Sequence, residues 1–92
     1  MQYHKKCLPN LFEDVRTGKK RFEVRLADFE VQVGDQIVLE EWDPEAQAYT
    51  GRTFSVDVEY ILKTKDMPAW TEDKVAEYGF QIMQIKPSTD SV

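Results

Sequence analysis

The sequence predicts an α+β fold, a small and mainly antiparallel β-barrel of five or six strands with two short helices. Three observations predict it. The apolar spacing changes from three-and-four to two near residue 21 and stays at two for most of the rest of the chain. Several of the period-two segments follow one another directly, which favours antiparallel pairing. At 92 residues there is room for one modest core, and closing or half-closing the sheet removes exposed edges.

Tyr3 to Leu8 reads as a short strand. Leu8, Leu11, Phe12 and Val15 then lie on one helical face. Pro9 suits a first-turn position, Asn10 with Glu13 offers a capping box as an alternative start, and Gly18 suits the position just past the end. From Arg21 the period is two, with Phe22, Val24 and Leu26 on one side and Arg21, Glu23 and Arg25 on the other. Phe29 to Val33 is either a short strand or an irregular approach, and Gly34-Asp35 is a turn. Ile37 and Leu39 begin a strand ending near Trp42, and Asp43-Pro44 opens a loop closing near Gly51. Phe54, Val56, Val58, Tyr60 and Leu62 make the clearest half-buried strand. A loop through Trp70 leads to a short helix capped by Thr71, with Glu72 and Asp73 in its first turn and Gly79 at its end. Phe80 to Ile85 is the last strand. Residues 1–87 form one domain, and 88–92 are a frayed tail.

The 12 basic and 17 acidic residues give a net charge of −5. Their placement matters more than their total. Residues 1–25 carry seven basic and three acidic groups, net +4, and the remainder carries −9. This excludes broad coating of a nucleic-acid duplex while leaving room for a narrow basic site, and the acidic face could hold a protein partner. The start of the chain has no apolar stretch of a secretory leader, and no segment is long enough to span a bilayer. One cysteine, Cys7, forms no internal disulfide, which fits a cytoplasmic protein, and it reads as a small packed apolar group. A single His and a single Cys are too few for a protein-only zinc site, and there is no Gly-rich phosphate loop, so no metal or cofactor is expected.

The segment Gly18 to Arg25 carries the candidate chemistry, in the form G-x-K-x-x-E-x-R. Glu23 and Arg25 share a strand face roughly 6–7 Å apart. A carboxylate beside a guanidinium offers acceptors and forked donors for a nucleobase edge or a phosphate. Lys20 is out of phase with Glu23, so either it precedes the strand or a bulge re-aims it. The bland alternative is a solvated ladder of charges. His4, the one imidazole, could touch a phosphate or move a proton. Tyr49, Thr50 and Arg52 could stack on a base or pair a phosphate, or simply form a hairpin turn in which Gly51 supplies a positive φ. Trp42 and Trp70 could be stacking platforms or covers over the core.

The octad resembles the motif of the ASCH (activating-signal-cointegrator homology) domain of the PUA-like superfamily. The resemblance extends over His4 to Pro9, the helix through Phe12 and Val15, Phe29 to Asp35, Glu41 to Pro44, Tyr49 to Arg52 and Val58 to Leu62. It is closest to a short ASCH-like family of uncharacterised bacterial and phage proteins. It implies a PUA-like pseudo-barrel with a ligand cleft beside the octad, and a role in binding RNA or modified nucleosides. With the residues singled out above, the candidate ligand residues are His4, Lys20, Arg21, Glu23, Arg25, Tyr49, Thr50 and Arg52. One branch of the family hydrolyses the acetyl amide of N4-acetylcytidine with a Lys, a Thr three residues on and a distant Glu. Others are described as ribonucleases. Lys20 matches that Lys, but Glu23 stands where the Thr would be. The resemblance thus leaves Lys20 and Glu23 as a possible acid–base pair without the nucleophile, so binding module and hydrolase both stay open. A protein-interaction module acting through the acidic face is a third reading.

Overall fold

A computed structural model describes residues 1–66 and 73–89. Its elements are β1 (Gln2–Cys7), α1 (Pro9–Arg16), β2 (Phe22–Leu26), β3 (Gln36–Asp43), β4 (Ala48–Lys63), α2 (Asp73–Glu77) and β5 (Phe80–Pro87), with a 3-10 turn at Thr64–Asp66. The five strands form one sheet in the order β1-β3-β4-β5-β2. Three pairings are antiparallel, as expected, while β1 runs parallel to β3. The sheet curls until its edges meet through a side chain: the Arg25 guanidinium on β2 donates to the Lys6 carbonyl on β1 at 2.9 Å. It is a half-barrel of five strands rather than a closed barrel. The second helix is only a little over one turn, so among the described residues α1 is the one substantial helix. The expected loop through Trp70 and the Thr71 cap with Glu72 lie outside the described residues.

Pro9 opens α1 at its first turn, where a missing N–H costs nothing. Leu8 is the N-cap without a side-chain cap bond, so the Asn10–Glu13 capping box is not used. Gly18, with φ +82°, follows the helix end, and its N–H donates to the Val15 carbonyl at 3.1 Å. The face holding Phe12 and Val15 turns into the mouth of the half-barrel. There they join Cys7, Val31, Ile37, Leu39, Phe54, Val56, Val58, Met83 and Ile85 in one core. Phe29 to Val33 is an irregular approach, not a strand. It delivers Val31 to the core and places Phe29 against Tyr3, ring centroids 5.0 Å apart.

Two period-two readings change. In β4, Phe54, Val56 and Val58 face inward, but Tyr60 and Leu62 face outward. The register shifts between Val58 and Tyr60: Val58 opposes Ile85 while Tyr60 opposes Gln84. One extra residue, Glu59, reverses the phase, as a β-bulge does. In β2, the apolar residues Phe22, Val24 and Leu26 face outward and Glu23 is turned inside. The bulge explains this too. It carries Tyr60 and Leu62 to the outer face, where Phe22 and Tyr60 flank Gln84, and Val24 and Leu62 flank Ile82. The apolar side chains of β2 therefore shield their neighbours on the outer face of the sheet. The hairpin loop is also shorter than expected, because β3 and β4 continue to Asp43 and Ala48.

The chain is held one residue beyond the last strand. Ser88, expected to begin a frayed tail, is buried. Its N–H donates to the Ser55 carbonyl at 3.1 Å, and its hydroxyl accepts from the Gln36 amide at 2.7 Å.

Gly79 is the glycine under most constraint. Its φ is +67°, and a Cβ there would lie 2.6 Å from the Lys65 backbone nitrogen. Gly51 has φ +94° but nothing within 4 Å of such an atom. Gly51→Ala should therefore lose only the conformational part, about 1–2 kcal/mol. Gly79→Ala adds a backbone clash and should lower the thermal midpoint by about 10 °C or more. Paired thermal melts of the two variants check this difference.

Candidate functional site

Lys20 leaves the helix end before β2 begins, which settles its phase: it precedes the strand, and no bulge is needed. Its N–H donates to the Asp14 carbonyl at 2.9 Å, fixing the backbone. From there the side chain reaches back, its Nζ 2.6 Å from the Phe22 carbonyl and 2.9 Å from Glu23 Oε1. On the other side of the carboxylate, Arg25 Nε is 3.0 Å from Glu23 Oε2. Glu23 is only 3% exposed, so it is a buried acid held between two cations. Burial of a charge is tolerated only with such pairing and hydrogen bonding.

The three residues line a cleft of about 310 Å³ where β1, α1 and β2 converge, with Lys6, Cys7, Leu8, Leu11 and Val24 also bordering it. Leu8 and Leu11 remain largely exposed there. Cys7 is buried, and its thiol is pushed above its ordinary value, chiefly by burial and next by the charge of Glu23. The thiol therefore stays protonated and packs as a small apolar group.

The other candidates fall elsewhere. Arg21 is exposed, donating to the Gly18 carbonyl at 3.3 Å, and it borders an outer groove with Phe22 and Tyr60. His4 points outward from β1 with Nδ1 3.1 Å from Glu40 Oε2. Tyr49 pairs with Trp42, centroids 4.9 Å apart and nearly perpendicular. Thr50 and Arg52 belong to a second polar cluster. The Thr50 hydroxyl donates to Glu41 Oε1 at 2.7 Å, and Arg52 Nε lies 3.7 Å from the same oxygen. Arg52 Nη2 also reaches Glu13 Oε2 at 2.9 Å and places its guanidinium 4.9 Å from the Phe12 ring centre. Hydrogen bonds from Arg16 and then Arg52 lower the Glu13 carboxyl to about 2.

Glu41 is the residue that the sequence reading passed over. It is buried, and it lies beside Cys7 in the parallel β1–β3 register. Its signal was legible, since an acid two residues after Leu39 continues the inward phase of Ile37 and Leu39. The β3 register shift between Glu40 and Trp42 sets Glu41 against the Thr50–Arg52 segment, whose Gly51 has the positive φ of a bend.

Fold and site together define a small β-rich half-barrel domain with a polar cleft at the meeting of its edge strands. The chain belongs to the family described as Domain of unknown function (DUF3850), whose model matches residues 3–83. It is similar to a solved structure titled "Crystal structure of hypothetical protein PH0355", with 18% identity, a TM-score of 0.67, and coverage of 96% of this chain and 100% of that one. That likeness shows a shared fold. Comparison with curated proteins gives no match. Among the described residues no helix is long and apolar enough to cross a membrane, and no group of three or more His, Cys, Asp or Glu residues could hold a metal ion.

Proposed function

We propose that this is an ASCH-type, PUA-like domain whose cleft binds a nucleoside unit of RNA, including modified nucleosides. The carrying observation is the buried Glu23 carboxylate, held between Lys20 and Arg25 and bordering the cleft. A carboxylate accepts from an exocyclic amine or ring N–H, and the two cations donate to carbonyl or phosphate oxygens. The cleft volume of about 310 Å³ lies at the small end for ligand sites and suits one base, with Leu8 and Leu11 as apolar walls. The absence of a disulfide partner for Cys7 supports a cytoplasmic setting.

Titration calorimetry with nucleosides, N4-acetylcytidine and short single-stranded RNA at low salt tests the proposal. Glu23→Gln should weaken binding about 10- to 100-fold, the loss typical of a hydrogen bond to a charged group. The salt slope should be shallow, because only one or two phosphates are within reach. No binding by the unaltered protein, or unchanged binding in Lys20→Ala and Arg25→Ala, overturns the proposal.

The 2.9 Å contact between Lys20 and Glu23 supports a second reading, a hydrolase in which this pair moves a proton. Incubation with N4-acetylcytidine and labelled RNA tests it. Turnover surviving the Lys20→Ala, Glu23→Ala double variant would rule it out.

A further inference from the structure

We infer that the binding site continues out of the cleft, over Lys6, to a stacking platform formed by Trp42 and Tyr49. Its ligand is then a single-stranded RNA segment of at least two nucleotides, not a free nucleoside. This rests on the nucleoside reading of the cleft.

Lys6 belongs to both places. It lines the cleft, and its carbonyl accepts the Arg25 hydrogen bond that joins the two sheet edges. Its side chain runs along the outer face of β1, with Nζ 3.9 Å from the centre of the Trp42 ring. Trp42 in turn meets Tyr49 edge-to-face. The sheet register makes this pair, since Trp42 and Tyr49 are directly opposed and the Thr50–Arg52 segment takes up the extra length. Trp42 is half-buried while Tyr49 is 53% exposed, so a phenol ring is presented to solvent beside an indole that is already fixed. An aromatic pair held rigid by strand pairing stacks a base at little ordering cost, and a lysine beside it supplies a phosphate contact.

Asp43 Oδ1 accepts from the backbone N–H groups of Glu45 and Ala46, and Glu40 is held by His4. Lys6 is a cation that borders both the cleft and the Trp42 ring.

The test compares cytidine, a dinucleotide and a tetranucleotide of RNA on the full chain, by calorimetry and tryptophan emission. The dinucleotide should bind about tenfold or more tighter than the nucleoside, and emission should fall on binding. Trp42→Phe should remove that emission change. Tyr49→Leu should cut tetranucleotide affinity about tenfold while leaving nucleoside affinity unchanged, and Tyr49→Phe should restore it. Oligonucleotides no tighter than the nucleoside overturn the platform and leave the cleft reading standing. So does a Tyr49→Leu variant that weakens both ligands equally, because the aromatic pair would then serve only the hairpin. Absence of binding by every ligand overturns both.

Discussion

Glu23→Leu is expected to lower the thermal midpoint by about 10–20 °C and to abolish ligand binding. Removing one member of a buried ion pair costs about 3–5 kcal/mol, because the partner's charge is left uncompensated. Here the side chains of Lys20 and Arg25 are 16% and 24% exposed, so each recovers some hydration and the cost falls to or below the foot of that range, about 2–3 kcal/mol. Arg25 would also lose the carboxylate that aims it at the Lys6 carbonyl, loosening the contact between the sheet edges. The neighbouring Val24→Thr supplies the contrast. Val24 is 50% exposed on the outer face, so that change should cost less than about 1 kcal/mol. From sequence alone the opposite order would be forecast, since the valine has the look of the core residue and the glutamate that of the surface one. Melting curves of the two variants side by side decide between the orders.

Phe12→Ala is expected to be the most damaging single truncation in α1, at about 3–5 kcal/mol. Phe12 is 1% exposed and is the largest side chain that the helix puts into the core. A loss of this size is a large part of the 5–15 kcal/mol that holds a typical domain together. It should appear in urea as a lower midpoint with an unchanged slope, the sign of lost stability without a change in the surface exposed. Phe12→Leu should recover more than half of the loss. Phe12 also supports the Arg52 guanidinium, so Phe12→Ala should disturb the contacts of Arg52 with Glu13 and Glu41 as well.

The sequence made the local grammar of the chain legible. Pro9 and Gly18 bracket α1, and alternating residues mark β2 and the first half of β4. Glu23, Lys20 and Arg25 were singled out by type and spacing, and they do converge. What the pattern did not carry was which side faces in. A period-two segment has two faces, and the choice between them depends on the partner strand and on a bulge at Glu59 that no local signal marks. The parallel pairing of β1 with β3 is equally non-local, and it is what sets Glu41 beside Cys7. Arg21 and His4 share the residue types of a ligand site with Lys20 and Arg25. They differ only in the direction in which the fold points them.

The strand order also sets when the cleft can come into being. The β3–β4 and β4–β5 pairs join strands that follow one another in the chain, whereas Gln2 waits for Gln36 and Phe22 waits for Gln84. Long-range pairings of this kind close loops before any contact compensates the entropy, so they form late. On a growing chain, β2 has no hydrogen-bonding partner until β5 has been synthesised. Its Phe22, Val24 and Leu26 wait with it, unshielded on a short strand. The β1 and β2 walls of the cleft thus pair with strands made later than themselves, and on a growing chain the pocket around Glu23 is incomplete until β5 has been made.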